Sequence, residues 1–224
     1  MSILVHRIIN PPKSSNCFVV STDAGNQCLI IDPGAEDCDE LLRCLDKENL
    51  RPEYVLLTHE HIDHIAGCQL LFERFGCLLI GTSDCQQYGQ NPRYNLTLYQ
   101  EDYSILDHLP PFKYAFNGSL NFDWQGLAVK CIEAKGHSYG SMLIIIGNHF
   151  FTGDTIVKGV KTTTNLPGGN KKETIKTLEM MKSLLNDSMY IHGGHLDDFS
   201  YTEAIKHING QIEYMQERIN RRNG

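Results

Sequence analysis

The feature that most limits what this chain can fold into is Thr58-His59-Glu60-His61-Ile62-Asp63-His64. Three histidines and one aspartate fall within six positions, in a chain of 224 residues with 10 His and 14 Asp. Chance would produce that pattern in roughly one such chain in a thousand. The cluster follows Glu53–Thr58, which reads as a short buried strand. It leads into Asp63–Phe75, where Ile65, Cys68, Leu71, Phe72 and Phe75 recur at helical spacing. A strand end that turns into a helix is where α/β folds place their ligand sites. His59 and His61 alternate along an extended segment and so share one side, facing one metal ion. Asp63 and His64 turn with the helix start and face a second ion beside it. Imidazole with carboxylate suits borderline divalent ions, Zn²⁺ first and Fe or Mn as alternatives. Three imidazoles packed this closely repel one another when charged, and a metal removes that repulsion.

The surrounding pattern is α/β. Ile3–Ile9, Cys17–Thr22 and Gln27–Asp32 are Val- and Ile-rich strands, with Asp23-Ala-Gly-Asn26 as a hairpin turn between the last two. Asp32-Pro-Gly34 stops the third strand, and Cys38–Glu48 reads as a helix with Leu41, Leu42 and Leu45 on one face. Strands resume at Leu127–Ala134, Ser141–Gly147 and His149–Thr152. A helix over Lys172–Asn186, a strand at Ser188–His192 and a helix from Thr202 to about Asn220 close the chain. Residues 82–126 hold five of the ten tyrosines and lack clear periodicity, so they read as long loops with short pieces of structure that cover a site. With no repeat or linker, one domain over 1–224 is expected.

Composition narrows the function. The net charge is −7, and no cluster of Lys and Arg offsets it. Arg218-Ile219-Asn220-Arg221-Arg222 comes nearest and reads as a solvated helix end. Nucleic-acid binding needs a concentrated basic face, so it is not expected. No apolar run approaches the ~20 residues of a membrane span, and the first ten residues show no secretory signal. A cytoplasmic chain acting on a small molecule is expected. The eight cysteines stand singly, mostly in apolar segments, and are expected to be reduced, buried and inert.

Four residues cannot fill two metal sites. Further candidates stand beside glycines at later strand ends: Gly136-His137, Thr152-Gly-Asp154-Thr155 and His192-Gly-Gly-His195. Asp32, then HxHxDH, then His137, Asp154 and His195, in that order, resemble the signature of the metallo-β-lactamase superfamily. The resemblance implies a four-layer αβ/βα sandwich of two mixed sheets with helices outside. It implies that His59, His61 and His137 hold one metal, that Asp63, His64 and His195 hold the second, and that Asp154 bridges them. Asp32 would brace the loop that bears the cluster. His192 lies outside the pattern and is expected to be buried or hydrogen-bonded. His6, His108, His149 and His207 carry no assignment.

Within the superfamily the chain is most similar to the glyoxalase II-like, hydroxyacylglutathione hydrolase-like branch. The similarity lies in Gly153-Asp-Thr-Ile-Val-Lys-Gly159 and Asn165-Leu-Pro-Gly-Gly-Asn170. The chain departs from that branch with Thr162-Thr163 in place of Gly-Arg, with Lys135 in place of Pro, and as a short form without the C-terminal helical domain. The resemblance implies a dinuclear hydrolase that uses a metal-bridging hydroxide on a thioester such as an S-(2-hydroxyacyl) thiol. Asp63 would also orient the water, and Tyr139, Lys158 and Lys161 would contact substrate. Phosphodiester or lactone hydrolysis, and a mononuclear iron persulfide dioxygenase, are the alternatives on the same scaffold.

Overall fold

The computed structural model describes residues 2–223, with side chains as far as Arg221. The chain divides into two compact units, Met1–Asn117 and Gly118–Gly224, each built on one mixed sheet. No helix among the described residues is long and apolar enough to cross a membrane.

The first unit contains β1 (Ile3–Asn10), β2 (Ser15–Thr22), β3 (Gln27–Ile31), α1 (Asp39–Glu48), β4 (Arg51–Leu56), α2 (Ile62–Ile65), α3 (Cys68–Phe75), β5 (Leu78–Thr82), α4 (Ser83–Gly89) and β6 (Phe112–Phe116). The six strands lie in sequence order. Short turns join β1, β2 and β3, which pair antiparallel, and Phe18 to Ser21 face Ile31 to Cys28 across the expected hairpin. From β3 to β6 the pairing is parallel. Parallel neighbours need crossover connections, and α1 and α3 supply the first two. Val19, Ile30, Val55 and Leu79 from the strands meet Leu41, Leu45, Ile65 and Leu71 from the helices in one core. Burying each such side chain stabilises the unit by about 1.5–3 kcal/mol.

The second unit contains β7 (Ser119–Trp124), β8 (Leu127–Glu133), β9 (Met142–Ile146), β10 (His149–Gly153), α5 (Lys171–Leu184), β11 (Tyr190–Gly193) and α6 (Tyr201–Asn223). Strands β7 to β10 form an antiparallel meander, and β11 joins β10 in parallel after the crossover through α5. Leu143, Phe150 and Ile191 pack with Leu178 and Met181 of α5 and Ile208 of α6. Asn170 caps α5, its side chain accepting from the Lys172 and Glu173 amides.

Three expectations need correction. Asp63–Phe75 is two helices, broken at Ala66 and Gly67. The Gly67 amide donates to the Pro33 carbonyl at 2.7 Å instead of extending the α2 ladder. A Cβ there would lie 2.2 Å from Cys38 Sγ, so only glycine allows the approach. Strand β4 ends at Leu56, two residues before the expected Thr58, because the Asp32 side chain takes the Thr58 amide at 2.7 Å. Residues 82–126 are more ordered than expected, with α4, a 3₁₀ turn at Thr97–Tyr99, β6 and β7. Leu120, Phe122 and Trp124 in β7 carry the period-two alternation of a strand.

The cysteines meet the expectation. All eight are free thiols, and every one but the half-buried Cys44 is buried. Burial pushes their pKa values up, to about 12 for Cys38 and Cys131 and about 11 for Cys77. At neutral pH such groups stay protonated and unreactive.

Candidate metal centre

In the first unit the histidine cluster occupies the stretch between β4 and α2 and the short helix itself. His59, His61 and His64 are all buried. The His59 ring centroid lies 4.6 Å from that of His61 and 4.2 Å from that of His64. Asp32, in the left-handed region at φ 54°, organises them. Its Oδ1 accepts from the Thr58 amide at 2.7 Å, and its Oδ2 accepts from the Thr58 hydroxyl at 2.5 Å. Oδ2 also lies 3.0 Å from His64 Nδ1. The Thr58 hydroxyl spends its proton on Asp32, so toward His59 Nδ1, at 3.1 Å, it can only accept. One carboxylate therefore sets the tautomer of two imidazoles, His64 directly and His59 through Thr58. In both rings Nδ1 carries the proton and Nε2 is the nitrogen for a metal. The ligand atoms of Asp32, His59 and His64 lie within 4.8 Å of one another. The hydrogen bonds that Asp32 accepts suit the bracing role expected of it. Asp63 Oδ2 lies 3.7 Å from His64 Nε2. The Asp63 carbonyl accepts from the Ser15 hydroxyl, and a Cβ on Gly34 would lie 1.6 Å from that same oxygen.

In the second unit three strand ends converge. His137 follows β8, Asp154 follows β10 and His195 follows β11. Asp154 Oδ2 lies 3.7 Å from His137 Nε2 and 3.6 Å from His195 Nε2. His137 Nδ1 donates to the Thr163 carbonyl at 3.1 Å, which again leaves Nε2 as the nitrogen able to take a metal. Gly136, at φ 138°, places this loop against α5, where a Cβ would lie 2.5 Å from the Thr174 backbone.

A profile of the metallo-beta-lactamase superfamily matches residues 10–195. The chain belongs to the metallo-β-lactamase superfamily. Among curated proteins it is similar to hydroxyacylglutathione hydrolase GloC of Haemophilus influenzae, 27% identical over 188 residues, covering 80% of this chain and 84% of that one. Among solved structures it resembles the B3 metallo-beta-lactamase BLEG-1, with a TM-score of 0.84, 20% identity, and coverage of 93% and 99% of the two chains. It also resembles TTHA1623 in a di-iron-bound form, with a TM-score of 0.76, 23% identity, and coverage of 91% and 98%. At these identities the structures show the fold, the α/β sandwich with two mixed sheets and flanking helices.

The His and Asp clusters of this metallo-β-lactamase superfamily member point to divalent metal ions as cofactors. The donor chemistry fits them: neutral imidazoles with protonated Nδ1, and carboxylates within reach. Asp32 is expected from the sequence, whereas Thr58, Ser15 and Gly34 carry no role there. Thr58 was legible as the motif's own first residue. The Thr163 carbonyl was not, because a main-chain oxygen leaves no side-chain signal.

The three residues expected to contact substrate all lie in the second unit. Lys158 Nζ donates to the Asp198 carbonyl at 3.0 Å and to Glu203 Oε2 at 3.1 Å, at the start of α6. The Ser200 amide first, then the Ser200 hydroxyl and Lys158, bring the Glu203 pKa down to about 2. Lys161 Nζ sits 3.5 Å from the centroid of the Tyr214 ring. Tyr139 is exposed, and the Gly168 backbone passes close to its ring, where a Cβ would lie 2.8 Å from Cδ2. His192 is buried as expected, with His149 Nδ1 3.0 Å from its Nε2 and Asp198 Oδ2 3.1 Å from its Nδ1. Of the tyrosines expected over a site, Tyr103 lies in the first unit's core and donates to the Gly34 carbonyl at 3.3 Å, while Tyr99 is exposed.

Proposed function

We propose that this protein is a metal-dependent hydrolase of thioesters such as S-(2-hydroxyacyl) thiols. In this reading His59, His61 and His137 hold one divalent ion, Asp63, His64 and His195 hold a second, and Asp154 serves both. The observation that carries it is the position of Asp154 Oδ2, at 3.7 and 3.6 Å from two imidazole Nε2 atoms on different strand ends. A carboxylate so placed suits a bridging ligand. Bound there, divalent ions supply Lewis acidity that lowers the pKa of water and polarises a carbonyl. The chain's own groups do the positioning. Asp32 and Thr58 fix the His59 and His64 rings, and the Thr163 carbonyl fixes His137. Asp63 would orient the attacking water through its carboxylate.

The thioester is favoured by two further observations. One is the similarity to a curated protein named hydroxyacylglutathione hydrolase. The other is the pair of segments Gly153–Gly159 and Asn165–Asn170, which resemble that branch after the bridging Asp. Eight free thiols fit a reducing cytoplasm, and the acidic balance fits a small-molecule substrate.

The test is hydrolysis of S-lactoylglutathione by protein purified without chelator, beside a phosphodiester and a lactone. Turnover of the thioester, abolished by Asp154→Ala, is expected. Turnover of only one of the other two moves the substrate class, and hydrolysis of none of the three overturns the reading.

A further inference from the structure

A second feature of the Gly118–Gly224 unit remains outside this reading. Gln211, Tyr214 and Arg218 recur along α6 at three- and four-residue spacing and so share one face. Gln211, buried, clamps the loop opposite that face. Its Nε2 donates to the Val160 carbonyl at 2.9 Å, and its Oε1 accepts from the Thr162 amide at 3.3 Å. The clamp holds residues 161–165 beside Tyr214 and Arg218, and Lys171 at the start of α5 completes the wall. Together they enclose a cavity of about 260 Å³.

The lining has one sign of charge. Lys161 Nζ lies 3.5 Å from the Tyr214 ring centroid on the ring face, and the Arg218 guanidinium carbon lies 5.4 Å from the same centroid. Arg218 Nε and Nη2 both donate to the Tyr214 hydroxyl oxygen, at 3.2 and 3.1 Å, which leaves that hydroxyl's proton for another acceptor. Lys171 Nζ reaches Asn165 Oδ1 at 3.4 Å. Among the described residues no carboxylate lines the cavity or pairs with Lys161, Lys171 or Arg218. The three cations act together on Tyr214: the Arg218 hydrogen bond first, then the charges of Arg218, Lys161 and Lys171, lower its pKa. In a chain of net charge −7, three cations held around one ring without a counter-charge repel one another, and an anion between them relieves that cost.

We propose that this cavity binds an anionic group of about two charges, a phosphate monoester or a paired carboxylate, through Lys161, Lys171, Arg218 and the Tyr214 hydroxyl. The cavity is joined to the metal ligands by one residue. Thr163, in its wall, is the residue whose carbonyl holds His137 Nδ1. Resting on the hydrolase reading above, the anion is the distal end of the substrate, and the cavity selects substrates whose acyl or leaving group ends in negative charge.

The test is calorimetric titration of the purified protein at low ionic strength with inorganic phosphate and, separately, with glutarate. The wild type, the double variant Lys161→Gln/Arg218→Gln, the single variant Lys171→Gln and the metal-ligand variant Asp154→Asn are compared. Saturable binding of one anion is expected, weakened at least about tenfold in the double variant, weakened less in Lys171→Gln, and unchanged in Asp154→Asn. Which anion binds tells phosphate from carboxylate. No saturable binding of either anion, binding indifferent to the double variant, or binding lost in Asp154→Asn would overturn the proposal. The last outcome would place the anion on the metals. Lys161 and Arg218 are exposed, so the double variant should fold, and an unchanged melting curve verifies it. Because Asp154→Asn disables the metal reading without touching the cavity, failure of the one is distinguishable from failure of the other.

Discussion

Asp32 shows how much of the candidate centre depends on hydrogen bonds around the histidines. Its carboxylate accepts from the Thr58 amide and hydroxyl and lies against His64 Nδ1, and Thr58 passes the constraint to His59. Thr58→Val keeps the shape and removes the relay. It should lower metal affinity by about 10–100-fold, whereas Thr58→Ser should retain it. Competition with a chromogenic chelator measures this, and equal affinity in the valine variant would count against the relay. Gly34→Ala is expected to act more severely, because its Cβ would lie 1.6 Å from the Asp63 carbonyl oxygen. The backbone of the metal-binding turn would have to move, and a loss of more than about 2 kcal/mol in chemical denaturation is predicted. His149 provides a pH dependence. Burial, and then its neighbour His192, lower its pKa from 6.5 to about 4. Between those values the unfolded chain binds more protons, so stability present above pH 6.5 is lost as pH falls toward 4. With the ring partly exposed, the effect is discounted to on the order of 1 kcal/mol. His149→Phe, which preserves stacking on Tyr190 and His192, should flatten the fall in Tm over that window. An unchanged slope would contradict the assignment.

At the scale of elements, helices α3 and α5 each depend on a glycine elsewhere in the chain or at their own start. Gly67 diverts its amide to the Pro33 carbonyl and so ends α2 where the cluster needs it to end. Gly136 lets the His137 loop lie on the first turn of α5, whose cap is Asn170. Asn170→Ala removes two hydrogen bonds to the helix start and should cost about 1 kcal/mol in denaturant unfolding. Because the Gly136 carbonyl accepts from the Asn170 amide, the His137 loop should hold its place in that variant, and metal content should stay unchanged. Most elements were legible from periodicity, since strands and helices in both units bury one face in a core. The break at Gly67 was not, because it arises from a close approach to Cys38 and Ala35 that are distant in sequence. Strands β6 and β7 were missed for a different reason. Pro110, Pro111 and scattered tyrosines masked the alternation of Leu120, Phe122 and Trp124.

For the whole molecule, the charge sum alone suggests an even acidic surface, yet the folded second unit gathers Lys161, Lys171 and Arg218 around one ring. Those residues span 58 positions, so only folding brings them together. The candidate metal ligands were legible because each is a titratable side chain at a strand end beside glycine or in a dense motif. The groups that hold them were less so, since Thr163 contributes a carbonyl and Ser15 a hydroxyl from a distant strand. The central claim is that one chain binds two divalent ions through both sets of residues. Elemental analysis of protein purified without chelator tests it most directly, on the wild type, Asp154→Ala and His61→Ala. About two divalent ions per chain are predicted for the wild type, with loss of metal in both variants. A single iron per chain with oxygen uptake and no hydrolysis, or metal content indifferent to Asp154, would contradict the account.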